Sequence, residues 1–161
     1  MDPFAVGPRL QIGAGVGYGG GTAIKKPGVA FGALGMYRFS ESRGNTWGVS
    51  LLIARANSDP EAVGAYMAGL QMGSTVYVQG LAGIVTGLKE LDPDPTTGVA
   101  GHSTATSLGL GGALGLHLEF ARAVGMNAEV FLAKGFESDG AIGGVLVGPV
   151  FQAYSKSKST P

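Results

Sequence analysis

From Ser107 to Phe120 the chain alternates without a break. Leu108, Leu110, Gly112, Leu114, Leu116, Leu118 and Phe120 fall on one face of an extended backbone; Ser107, Gly109, Gly111, Ala113, Gly115, His117 and Glu119 fall on the other. Successive side chains of a strand point to opposite faces, so a two-residue period sustained this long specifies a two-faced strand. Weaker copies recur along the chain. Leu10, Ile12, Ala14, Val16 and Tyr18 oppose Gln11, Gly13, Gly15 and Gly17, while Val29, Phe31, Ala33, Tyr37 and Phe39 oppose Ala30, Gly32, Leu34, Met36 and Arg38 in a less clean split. Further apolar faces follow at Trp47, Val49, Leu51, Ile53; at Tyr66, Ala68, Leu70, Met72; at Val76, Val78, Ala82, Ile84; at Ala128, Val130, Leu132; and at Val145, Val147, Phe151. Eight strands are predicted.

Two helical readings compete with this pattern. Ala62 to Leu88 contains no charged residue and is long enough for a transmembrane helix. Gly64, Gly69, Gly73, Gly80, Gly83 and Gly87 would each cost such a helix about 1 kcal/mol relative to Ala, and Thr75, Val76, Val78 and Val85 favour extended backbone. A hairpin turning at Met72–Thr75 fits better. A helix over Glu119–Lys134 would place Phe120, Val124 and Phe131 near one face, but the unbroken alternation before it and the permissive Gly125 favour a turn at Ala121–Gly125.

The connections alternate in length. Gly20–Gly28, Asn57–Glu61, Leu88–Thr104 and Phe136–Gly140 belong to one end; Glu41–Asn45, Gly73–Ser74 and Ala121–Gly125 belong to the other. The predicted architecture is all-β: a single antiparallel up-and-down barrel of about eight strands with meander topology, spanning about 9–154 of one domain, with 155–161 as a tail. Pro149 lies inside the last strand and requires a bulge or an edge for its missing N–H.

Composition narrows the function. Glycine supplies 30 of 161 residues without the period of collagen, and mean hydropathy is +0.25, too apolar for a disordered chain. Eleven basic residues balance 11 acidic ones, so no net field gathers nucleic acid. The absence of cysteine removes disulfides, thiolate metal sites and cysteine nucleophiles together. Met1–Phe4 opens no basic and apolar leader, so no signal peptide is expected in this chain.

Charged residues make up only 14% of the chain, which bears on which solvent the barrel faces. A soluble barrel would turn its apolar set inward and leave mostly Gly, Ala and Ser in water, a poor surface for solubility. A membrane barrel turns the apolar set to lipid and keeps a polar or small-residue interior. Phe31, Val49, Ile53, Leu108, Leu110, Leu114, Leu116, Leu118 and Phe120 would then face lipid. Gln11, Arg38, Gln71, Gln79, His117, Glu119, Asn127 and Glu129 would form a polar network in the lumen, neutralising and hydrogen-bonding one another. Over Arg9–Tyr154, and most plainly in the strand, turn and strand of Ser107–Leu132, the sequence resembles the small eight-stranded outer-membrane β-barrels of Gram-negative bacteria. The resemblance implies an outer-membrane location and the lipid bilayer as partner.

No residue set reads as catalytic, cofactor-binding or metal-binding. His102 and Ser103 are adjacent on a strand and point apart, so they are read as polar lumen or loop residues, like His117. Glu119 and Glu129 could form an acid/base pair, but ion pairing with Arg38 or hydrogen bonding to Gln71 and Gln79 is the favoured role. Asp92-Pro-Asp-Pro lacks the spacing of a calcium loop, and the glycines of Gly13–Gly21 precede no helix that could hold a phosphate. They suit a crowded barrel interior, or let Tyr18 or Tyr77 pack on bare backbone. The expected function is a non-enzymatic transmembrane barrel with a structural, surface-interaction or narrow-permeability role, with the 88–104 loop open to an extracellular ligand or protein. The alternative is a soluble barrel whose Leu108–Phe120 face, with Phe31, Val49 and Ile53, lines an apolar ligand cavity. The sequence leaves the oligomeric state open.

Overall fold

The computed structural model describes residues 9–21, 28–42, 45–57, 62–121 and 123–154, with backbone alone for 9, 21, 38–42, 45, 46 and 154. The expected tail 155–161 and the residues before Arg9 lie outside the described set. Eight strands carry the described chain: β1 Arg9–Gly21, β2 Gly28–Ser42, β3 Asn45–Ala56, β4 Val63–Gly73, β5 Val76–Glu90, β6 His102–Ala121, β7 Val124–Gly135 and β8 Ile142–Tyr154. Each pairs antiparallel with the next, and β8 pairs back with β1 to close the barrel. Closure leaves the sheet no open edge and defines an inside and an outside. Of the two stretches considered for a helix, Ala62–Leu88 falls on the β4–β5 hairpin, and Glu119–Lys134 takes in the end of β6 and most of β7.

The β4–β5 turn, which is described in full, is as tight as expected. At Ser74–Thr75 the chain reverses between β4 and β5, with Gly73 at φ 106°, a left-handed conformation that side chains disfavour. The longest connection is shorter than Leu88–Thr104. Leu88 pairs with Thr104, Lys89 with Ser103 and Glu90 with His102, leaving Leu91–Gly101 as the loop. The β-branched and polar residues there continue the alternation without being apolar, so hydrophobicity hid the extension. Pro149 faces out where the β1–β8 ladder opens: pairing holds at Gly13–Val150 and Val16–Val147 but is missing between them. The missing donor therefore falls in a gap.

The lumen divides into two halves along its axis. Toward the short turns it holds Gln11, Ser50, Gln71, Tyr77, Gln79, His117, Asn127, Glu129 and Gln152, all buried. Toward the loops it is filled by a core that includes Leu52, Met67, Leu81, Val85, Phe131 and Leu146. The expectation of a polar or small-residue interior thus holds for only one half. The interior of an eight-stranded barrel is just wide enough for side chains to fill it, and apolar side chains fill the other half. Their presence on the inward face is what blurred the alternation of β2.

Candidate functional site

The lumen's polar half is built from adjacent strands whose inward positions carry hydrogen-bonding side chains. Tyr77 on β5 packs against Gly115 of β6, where a Cβ would collide with its ring. This is the packing on bare backbone anticipated for Tyr77; Tyr18, by contrast, points outward and is exposed. The close approach carries the Tyr77 hydroxyl past β6 to β7. There it receives Asn127 Nδ2–H at 2.7 Å and donates to Glu129 Oε2 at 2.6 Å. A second cluster joins β1, β6 and β8. Gln11 Nε2 donates to Gln152 Oε1 at 2.9 Å, and the Nε2 atoms of Gln11 and Gln152 approach His117 Nε2 at 3.3 and 3.2 Å. Two side-chain amides thus converge on one ring nitrogen of His117. Glu119 Oε1 stands 3.7 Å from the same nitrogen, half-buried. On the third wall, Gln79 Nε2 donates to Gln71 Oε1 at 2.8 Å.

Seven of the eight residues expected in the lumen thus point inward, while the side chain of Arg38 lies outside the described residues. Glu119 and Glu129 are not brought together: one approaches His117 and the other bonds Tyr77. Tyr77, Ser50 and Gln152 belong to the polar half but were not anticipated there. Gln152 was accessible to sequence reasoning, because it falls in phase with the inward Val150. The place of the Tyr77 hydroxyl depends on Gly115 across the sheet, which no local pattern reveals.

The outer wall is the second candidate surface. Phe31, Val49, Leu108, Leu110, Leu114, Leu116, Leu118 and Phe120 are exposed and Ile53 half-exposed, all pointing away from the lumen. An interior apolar ligand cavity lined by this set is therefore ruled out. Among the described outward positions, charge is confined to the loop end, at Arg55, Lys134 and Glu90. At that end β5 and β6 outgrow their neighbours. β4 last pairs at Gly64–Thr86 and β7 at Gly109–Gly135, so Gly87–Glu90 and His102–Ala105 pair only with each other.

The β7–β8 turn folds across the mouth toward this ribbon. Asp139 N–H donates to Leu88 O, Glu90 N–H donates to the Asp139 carboxylate at 2.5 Å, and buried Ser138 bonds Gly135 O and Gly140 O. In the Leu91–Gly101 loop, Asp94 accepts a bond from Thr96 N–H at 2.7 Å, which holds its carboxyl below the ordinary carboxylate range. That side chain therefore closes a local turn.

No protein-family model and no curated protein sequence matches the chain. Among solved structures, Ail, the attachment invasion locus protein of Yersinia pestis, in complex with the heparin analogue sucrose octasulfate, is similar at a TM-score of 0.56. Identity is 18%, over 91% of this chain and 97% of that one. Neisserial surface protein A superposes at a TM-score of 0.50 with 15% identity, over 91% of this chain and 97% of that one. In fold, the chain is a small eight-stranded antiparallel barrel of the kind seen in these surface proteins.

Proposed function

We propose that the chain is a non-enzymatic transmembrane β-barrel of a bacterial outer membrane, which holds the β5–β6 ribbon above the outer surface as its interaction element. The observation that carries this reading is the uncharged apolar belt formed by outward side chains of all eight strands. At roughly 3.4 Å per residue and a tilt of about 40°, the row from Leu108 to Phe120 rises about 30 Å, the thickness of a bilayer's hydrocarbon core. In water a belt of this extent would drive association. The filled loop-side lumen argues against a permeability role. Short turns would face the periplasm and the longer loops the exterior, as in barrels of this type.

The ribbon is the favoured contact element because its backbone and polar side chains stand clear of the belt, and its loop, Leu91–Gly101, carries Asp92 and Asp94 without a Lys or Arg. A polyanion such as the one bound to Ail is a poor match for an acidic loop. A protein surface with basic or neutral character suits it better.

The absence of cysteine makes the topology directly testable. Pro95→Cys, in the long loop, is expected to react with a membrane-impermeant maleimide on intact cells. Ser74→Cys, in a short turn, should react only after the outer membrane is opened. Recovery of the protein in the soluble fraction, or equal labelling of both positions in intact cells, would refute the proposal.

A further inference from the structure

The two edges of the β5–β6 ribbon are treated differently. On the β5 edge the β7–β8 turn supplies a cap: Asp139 N–H donates to Leu88 O, and the Asp139 carboxylate accepts from Glu90 N–H. The β6 edge has no such cover. Phe136 N–H donates to Leu108 O at 2.8 Å, the last backbone rung on that side. Glu137 N–H then turns to the Ser107 hydroxyl at 3.1 Å, and Ser138 is buried beneath the mouth. The N–H and C=O of one strand residue point to the same side and those of its neighbours to the other. Thr106, Thr104 and His102 therefore present their backbone groups on the side of Leu108, while Ser103 and Ala105 face β5. Among the described residues, none bonds the backbone of Thr104 or Thr106 on that side, and both residues are exposed.

Natural sheets blunt an open edge with Lys, Pro, a bulge or a cover. His102–Ser107 contains neither Lys nor Pro, and the β5–β6 register runs without a bulge from Val76–Leu116 to Glu90–His102. Its β-branched threonines favour extended pairing. The edge is thus a template for one more strand.

We propose that an extended segment of another protein adds to β6 along His102–Thr106 as an antiparallel strand, taking the path that the β7–β8 turn leaves after Phe136, and that this segment carries Lys or Arg at its C-terminal end. A strand running as β7 does ends beside the Leu91–Gly101 loop, which begins directly above His102 with Leu91 N–H bonded to Gly101 O. Asp92 and Asp94 are exposed there, with no Lys or Arg in the loop, so charge complementarity sets the sign of the guest's end. A second copy fits this edge less well. Copies in one membrane share an orientation, and a two-fold axis along the membrane normal allows no stagger between their β6 edges, whereas the slanted bonds of a parallel ladder need one. The proposal deepens the reading of the ribbon as an interaction element and rests on it.

Amide hydrogen exchange on the barrel in lipid nanodiscs tests it, with a short synthetic peptide of alternating Val and Thr that ends in two lysines as the probe. In the free barrel the Thr104 and Thr106 amides should exchange at least about tenfold faster than those of Ser103 and Ala105, which face β5. The probe should slow Thr104 and Thr106 by about tenfold or more and leave Ser103 and Ala105 unchanged. Thr104→Pro removes one edge N–H and spares the rungs to β5, so it should weaken probe binding by about tenfold. The same peptide ending in two aspartates should bind more weakly than the lysine form. The exchange arm needs no variant, so it decides the proposal even if Thr104→Pro does not fold. A probe that leaves Thr104 exchange unchanged, equal binding to wild type and Thr104→Pro, or equal binding of the two peptides would overturn it. So would Thr104 protection that appears only in nanodiscs holding two barrels, which would make a second copy the occupant. Each of these leaves the outer-membrane reading standing; failure to enter nanodiscs would overturn both.

Discussion

Tyr77 concentrates the residue-scale logic of the barrel. Its ring rests on Gly115, and its hydroxyl links Asn127 to Glu129 in the lumen. Replacing it by Phe keeps the ring and deletes the link, leaving buried Asn127 and Glu129 short of a partner. Tyr77→Phe is expected to lower unfolding stability by about 2 kcal/mol, because each stranded polar group costs about 1–3 kcal/mol. Glu129→Gln retains an acceptor for Tyr77 and loses only the charge assistance, so it should cost about 1 kcal/mol. Urea unfolding in vesicles, followed by tryptophan fluorescence, ranks the two. A Tyr77→Phe barrel as stable as wild type would show that the hydroxyl link is not stabilising.

Polar residues in phase with the inward glycines, such as Gln11, Gln71, Gln79 and Asn127, were legible in the sequence because one strand's alternation places them. Their partners were not. Gln11 meets His117 and Tyr77 meets Glu129 across strands far apart in sequence, and only closure and strand stagger bring them together.

At the scale of elements, β6 would act as a depth gauge in the proposed membrane barrel. Its outward row is apolar from Phe120 up to Leu108, then turns to Thr106, Thr104 and His102. Thr106 and Thr86 share a hydroxyl contact of 2.9 Å at the level where β4 makes one of its last pairs with β5. Arginine at Leu114 should therefore cost about 2–4 kcal/mol, and arginine at Thr104 less than about 1 kcal/mol, since the penalty for charge falls from midplane to interface. Equal penalties in vesicles would move the boundary or remove it. The eight strands were legible because outward residues had to be large and apolar while inward neighbours had to be small. The ends of β5 and β6 were not, because beyond Ile84 and Leu108 the outward positions turn mostly polar and the signal fades while the pairing continues.

At the scale of the whole molecule, one sheet carries two unlike faces. Glycine, 30 of 161 residues, takes many inward positions, and where the described inward face is not small it is mostly polar at one end and apolar at the other. The apolar half could not be read from alternation, since Leu34, Leu52, Met67 and Phe131 on inward positions look like breaks in a pattern that assigns large residues to the outside. The outer belt, by contrast, follows from scarce charge and period alone.

In the proposed membrane barrel, lipid is the solvent of that belt. Rapid dilution of urea-unfolded chain into buffer with and without phospholipid vesicles tests it most directly, with circular dichroism and heat-dependent electrophoretic mobility as readouts. β-Rich, heat-modifiable protein is expected only with vesicles, and aggregation without them. A monodisperse, β-rich species in buffer alone would contradict it.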